Sequence, residues 1–233
     1  MGYHMGKGKR SAITQPPPSP SLIGLIGPST PSTEQQAGVQ DAQSADGGGF
    51  EMYGKRNFDY VRGGVEALKC QLDTAMPELW IRWPYDDVVG VYPCCSFNLG
   101  TQTTTYPHTD LGNLANSWCS ITAFGWFDPT EGGHFVLWDY GLFVDFPPGL
   151  TILMPSALLL HSTTSISNRE KWFSMIQYIL GHLLRWVENG FQSDKEWGAT
   201  ATAEDEMLRE RENEAQWSKA VNMYAVLEEF CSV

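Results

Sequence analysis

The chain has 233 residues, 42% of them hydrophobic, with a formal net charge of -12 and a pI near 4.7. That length holds one ordinary domain plus tails, and that apolar fraction is enough for a core. The negative balance excludes bulk electrostatic attraction to nucleic acid or anionic membrane, and no uninterrupted apolar run approaches the ~20 residues that span a bilayer.

The first residues, MGYHMGKGKR, contain no hydrophobic signal core. Lys7, Lys9 and Arg10 form a weak basic cluster in what reads as a solvated start. Residues 1–50 are expected to be a disordered Pro/Ser/Gly-rich tail, marked by QPPPSPS and by Gly47-Gly48-Gly49. A domain is expected over 51–191. It opens with an amphipathic helix at 58–75, where Val61, Val65, Leu68 and Leu72 recur at helical spacing. Gly63 and Gly64 weaken that helix, and Pro77 lies past its end.

From Val91 to Leu180 the texture changes to short segments rich in Val, Ile, Thr and aromatics, separated by Gly, Pro, Asn and Asp turns. Eight strands are predicted: 91–98, 101–107, 118–124, 133–138, 141–146, 150–154, 157–166 and 171–180. Eight strands at this spacing predict a mainly β domain, a double-sheet jelly roll (a cupin-like double-stranded β-helix) with flanking helices. An immunoglobulin-like sandwich is the competing architecture. Residues 192–233 read as an acidic C-terminal helical segment. Trp217, Val221, Tyr224 and Leu227 make one apolar stripe, expected to pack on the core, opposite a face rich in Glu and Asp.

Five cysteines, an odd number without a C-x-x-C, exclude a disulfide framework and a zinc-finger spacing. They fit a reducing, intracellular location.

His108 and Asp110 in TTTYPHTD, with His161 in LLLHSTT, carry the chemistry. Residues two apart on a strand share a face, so the imidazole and the carboxylate can converge on one ion. His161 falls in the seventh predicted strand, which neighbours the second in a double-stranded β-helix. Two neutral imidazoles and one carboxylate suit Fe(II) and leave coordination positions open for an oxidant. Taken singly, each residue has an ordinary reading: a surface histidine, an Asx turn before Gly112, a core histidine. Asn98, Gln102 and Thr104 near the ligand strand, Asn113 and Trp118 after it, and Phe135 or Trp138 as stacking surfaces are further candidates for a pocket. His134 reads as a pocket or rim residue.

The segments FNLGTQTTTYPHTDLGNLANSWCSITAFGWFDPTEGGHFVLWD, FPPGLTILMPSALLLHS, FSMIQY and LLRWVENGF resemble the Fe(II)/2-oxoglutarate dioxygenase superfamily, and within it the fungal, transposon-associated TET/JBP-like branch. The resemblance covers 91–191. It implies a jelly-roll core binding Fe(II), 2-oxoglutarate and O2, with His108, Asp110 and His161 as iron ligands. It also implies oxidation of a modified, methylated base in DNA, and a DNA role would place the protein in the nucleus.

The family carries Arg two residues before a serine on the last strand, where it grips the distal carboxylate of 2-oxoglutarate. Here Ser174 is present but Trp172 occupies the Arg position. Arg169 in the preceding turn, then Lys171, then Arg185 are the candidates for that grip. Lys171 has the wrong strand parity unless a bulge re-aims it. The departure leaves three readings open: a nucleobase oxygenase, an oxygenase of a protein side chain or small molecule, and a catalytically inactive jelly-roll binding module. Oligomeric state is not legible.

Overall fold

One β-strand organises the molecule: Lys171–Tyr178, an inner strand of the larger of two sheets. The computed structural model describes residues 49–75, 91–100 and 102–224. The predicted N-terminal tail, Pro77, and the last part of the expected C-terminal helix with Leu227 lie outside the described residues.

Helix α1 (Lys55–Ala75) starts three residues before its predicted beginning and buries Phe58, Val61 and Leu68 at helical spacing, with Val65 partly covered. Its two glycines weaken it as an isolated helix, but Gly64 has a packing reason. A Cβ there would sit 2.6 Å from Leu184 Cδ2 of the post-barrel helix α2 (Gly181–Glu188). The Leu184 side chain thus packs into the space a side chain at 64 would take. Phe50, Phe58, Val61, Val91, Tyr92, Ile179 and Leu184 form one apolar cluster, on which Trp118 packs by stacking on Phe50 at 5.7 Å.

Seven strands follow: β1 (Cys94–Asn98), β2 (Cys119–Trp126), β3 (Phe135–Leu137), β4 (Leu142–Val144), β5 (Thr151–Met154), β6 (His161–Thr163) and β7 (Lys171–Tyr178). They make a four-stranded sheet in the order β1-β7-β2-β5 and a three-stranded sheet in the order β4-β3-β6. Every named pair is antiparallel. The domain is therefore mainly β with flanking helices, an arrangement compatible with a jelly roll. A second apolar cluster combines Ile121, Ala123 and Trp172 of the large sheet with Phe135 of the small one, together with Phe146. Among the described residues, no helix is long and apolar enough to cross a membrane.

Of the predicted strand at 101–107, the described residues 102–107 do not form a strand. Between 102 and 113 the chain makes isolated bridges only: Gln102 with Trp172, His108 with His161, and Asn113 with Leu180. The reason is local. Pro107 has no N–H to give a ladder. Thr105 and Thr163 lie side by side, but each backbone N–H donates to the other's hydroxyl, both at 3.1 Å, instead of to a carbonyl. Threonine-rich sequence has β propensity, yet its hydroxyls can take over the ladder's hydrogen bonds. The seventh predicted strand also shrinks, from 157–166 to His161–Thr163, because Pro155–Leu159 forms a turn.

A short helix and a long one close the described chain. α3 (Asp194–Thr200) and α4 (Ala203–Met223) each start with a reciprocal cap, Ser193 with Glu196 and Thr202 with Asp205. The expectation that α4 packs an apolar stripe on the core fails: none of its residues is buried, and Trp217 and Val221 are exposed. Contact is made instead at its end, where the Tyr224 hydroxyl donates to Ala115 O at 2.7 Å and Arg56 Nη2 donates to Tyr224 O at 2.7 Å.

β2 stays in register with β7 through a single glycine. Gly125 faces Trp172 at φ +127°, and a Cβ there would meet Lys171 O at 2.0 Å. Replacement Gly125→Ala is expected to destabilise the domain by more than ~2 kcal/mol through backbone strain. Denaturant unfolding with an unchanged m-value would measure it, and an unchanged midpoint would contradict the steric account.

Candidate metal centre

The site begins with a two-residue piece of antiparallel backbone. His108 N donates to His161 O and His161 N donates to His108 O, each at 3.0 Å. Residues in such a reciprocal pair project their side chains to the same face. The two imidazole rings accordingly lie 4.4 Å apart, centroid to centroid.

Each ring is then turned by the same local device. His108 Nδ1 lies 2.7 Å from Tyr106 O, and His161 Nδ1 lies 2.8 Å from Leu159 O. In both cases the partner is the carbonyl two residues earlier. A carbonyl only accepts, so each Nδ1 is the donor, and each Nε2 is the ring atom left for a ligand role.

Asp110 is set from a third direction. Its N–H donates to Ser156 O at 2.9 Å. Its Oδ2 accepts from Asn113 Nδ2 at 3.3 Å, and the same amide donates to Ser156 Oγ at 3.0 Å. Its Oδ1 stands 3.6 Å from His108 Nε2. One ligand atom from each of His108, Asp110 and His161 falls within 4.8 Å of the others. The donor set fits a divalent transition metal: two neutral imidazole nitrogens and one carboxylate, with one side open to a cavity.

His161 is nearly inaccessible, at 3% exposure, and Phe135 stacks on it at 5.6 Å with 17° between planes. Burial is the main reason its pKa lies below the ordinary 6.5; His108 adds to the lowering, while the Leu159 carbonyl and Asp110 oppose it. The ring is thus held in the form that can donate a lone pair.

The triad opens into a cavity of about 460 Å³ between the two sheets. From the large sheet it is lined by Trp172, Ser174, Ile176 and Tyr178 of β7, by Ser96 and Asn98 of β1, and by Ile121 of β2. From the small sheet come Phe135, His161 and Thr163, and from the irregular segment Thr105, His108, Asp110 and Asn113.

Of the residues singled out from sequence, His108, Asp110 and His161 come together, and Ser174, Asn98, Asn113 and Phe135 line the same cavity. Arg169 and Lys171 do not: both are exposed, and neither lines the cavity. Lys171 pairs with Trp126 in a ladder that runs to Ser120↔Gln177 without a bulge, so its parity points it away from Trp172 and Ser174. Arg185 is drawn off to Asp194 at 3.5 Å. Gln102 donates to Ser167 O rather than facing the site, and Trp118 belongs to the Phe50 cluster. His134 lies outside the lining, 3.6 Å from Asp145. Thr105, not Thr104, enters the cavity, since strand parity does not apply to a segment that is not a strand. Ser96 and Tyr178 escaped the sequence reading. The signal for them was the two-residue alternation through 172, 174, 176 and 178.

No family model and no curated protein matches the chain. Among solved structures it is similar to NgTET1 in complex with 5mC DNA, at 20% identity over 40% of this chain and 35% of that one, with a TM-score of 0.33. It is also similar to the collagen prolyl hydroxylase vCPH of Paramecium Bursaria Chlorella virus-1 in complex with 2OG, at 13% identity over 38% of this chain and 63% of that one, with a TM-score of 0.28. The chain spans less than two thirds of either protein, and likenesses this distant leave the chemistry to be argued from the geometry above.

Burial of a neutral His161 has a sign for stability. The unfolded chain takes up a proton at this residue near pH 6.5, the folded chain only at lower pH. Metal-free protein should therefore be most stable above pH 6.5 and lose stability as pH falls through that value toward the folded pKa. Unfolding midpoints of the native chain and His161→Gln, in chelator, from pH 8 to 5, measure this; equal slopes for the two would contradict it.

Proposed function

We propose that His108, Asp110 and His161 hold one Fe(II), and that the chain is an Fe(II)/2-oxoglutarate-dependent dioxygenase whose two sheets form a double-stranded β-helix. The observation that carries this reading is the pairing of two imidazoles across one reciprocal backbone bridge, both with Nδ1 turned to a backbone carbonyl, beside a carboxylate held by Asn113. Bound there, the metal would support reduction of O2 coupled to decarboxylation of 2-oxoglutarate, giving succinate, CO2 and a hydroxylated substrate.

The chain's own residues have definite tasks in that chemistry. The Tyr106 and Leu159 carbonyls fix the orientation of both rings through Nδ1, which leaves each Nε2 as the ligand atom. Asn113 and Ser156 fix the carboxylate, and such partners of a ligand are worth ~10–100-fold in metal affinity. Phe135 and Ile121 present apolar walls beside the triad, which exclude water from one side.

For the substrate we propose a methylated nucleobase in DNA. The sequence resemblance supports it, and so do the exposed aromatic side chains beside the ligand segments. Tyr106 precedes His108 by two residues and is 92% exposed. Trp138 donates to Ser162 Oγ at 3.0 Å, next to His161. Rings so placed suit a planar substrate that leaves its stack. The net charge of -12 favours a second reading, in which the same centre hydroxylates a protein side chain or a small molecule.

The full chain should bind one Fe(II) under anaerobic conditions and, with 2-oxoglutarate, O2 and 5-methylcytosine DNA, yield succinate and an oxidised base detectable by mass spectrometry. His161→Ala should lower iron affinity by more than ~100-fold, and Asn113→Ala by ~10–100-fold. Iron binding unaffected by His161→Ala would overturn the ligand assignment. Succinate without base oxidation would remove the nucleobase and leave the second reading. A chain that binds no iron would be an inactive binding module.

A further inference from the structure

Helix α4 (Ala203–Met223) is a 21-residue element none of whose residues is buried. It is fastened along one side and at its end. Arg209 lies over the Trp197 ring at 3.7 Å, donates to Asn189 Oδ1 and stands 3.5 Å from Asp194. Met223 Sδ accepts from Asn116 Nδ2 at 2.8 Å. Successive residues turn by about 100° on a helix, so these contacts fix which side of α4 faces the domain.

The side turned away carries Met207, Glu210, Glu214, Trp217 and Val221, in steps of three and four along about 21 Å of helix. All five are exposed, Trp217 by 69%. Glu206, Glu210 and Glu214 follow one another at four-residue spacing, where like charges repel. Among the described residues none of these three glutamates forms a salt bridge, and Arg209 beside them is committed to Asp194. The face is an apolar seam interrupted by uncompensated carboxylates.

That pattern selects the occupant. A helix that lies on a lipid surface carries Lys or Arg around its apolar face, not glutamate. Nucleic acid repels the same carboxylates. A second copy is disfavoured as well. Antiparallel pairing that matches Met207 with Val221 brings Glu214 against its own counterpart, and parallel pairing sets every glutamate against itself. What fits is a helix with its own three-four apolar spacing and cations at the middle positions.

We propose that the outward face of α4 is a docking site for a basic amphipathic helix of another protein, whose apolar side chains cover Met207, Trp217 and Val221 while its Lys or Arg side chains sit against Glu210 and Glu214. Trp217 is the anchor, since a large aromatic side chain gives the most contact area for the least lost freedom. The inference does not rest on the reading of the triad.

A chain of net charge -12 attracts any cation loosely, so the experiment has to locate the contact. The full chain is titrated into a labelled synthetic helix of ~21 residues, with leucines at three-four spacing and lysines at the middle positions, and into a second peptide with glutamates in place of those lysines. Fluorescence anisotropy reads the binding. The lysine peptide should bind one to one, and the glutamate peptide should not. Trp217→Ala should weaken the lysine peptide by more than ~10-fold. The double variant Glu210→Lys, Glu214→Lys should release the lysine peptide and take up the glutamate peptide, a gain that a misfolded chain would not show. Absence of binding, affinity that both variants leave unchanged, or equal affinity of the native chain for the two peptides overturns the proposal. So does a native chain that sediments as a dimer and becomes a monomer in Trp217→Ala, which would give the face to a second copy.

Discussion

Two reciprocal backbone hydrogen bonds, His108 N to His161 O and His161 N to His108 O, are the constraint on which the rest of the site depends. They join residues 53 positions apart and come from a segment with no ladder of its own. Without them the rings would be tied only to their local carbonyls and would not share a face. With them, every further element needs only a local adjustment: a carbonyl two residues back for each ring, an amide for the carboxylate. Backbone geometry of this kind costs little to keep, because the donors and acceptors must be satisfied anyway.

The same economy explains how one ligand comes from the small sheet and two from an irregular segment. β6 contributes His161 and takes its place by pairing with β3, where Leu137 faces His161. The large sheet contributes no triad residue but supplies the opposite wall, through the cavity face of β7 and its neighbour β1. The cavity thus lies between layers. A shift of one sheet against the other would change its width before disturbing either ladder.

Much of this was legible in the residues. The apolar rhythm of Phe58, Val61 and Leu68 marked a helix, and six of the eight predicted strands coincide with observed strands over most of their observed length. The seventh, at 157–166, holds a short one. The triad was legible because three ligand-type residues stood at positions that a jelly roll would bring together. What failed did so for physical reasons. Propensity does not reveal that Thr105 and Thr163 bond through hydroxyls, nor does strand parity apply once Pro107 and those hydroxyls have removed the strand. Arg169 and Lys171 were candidates because they stand just before the position where the family carries Arg; a bulge was needed to re-aim Lys171, and the unbroken β2–β7 ladder holds none. The apolar stripe of α4 had the right spacing and no core within reach.

The exchange between Thr105 and Thr163 has a dynamic consequence. Each amide there is held by a hydroxyl on a rotatable side chain, so release needs a χ1 rotation and not separation of the strands. Rotamer flips are fast and local, whereas parting a carbonyl ladder is slow and cooperative. The seam beside the imidazoles is therefore held by side-chain hydroxyls, while the bridge next to it is held by backbone alone.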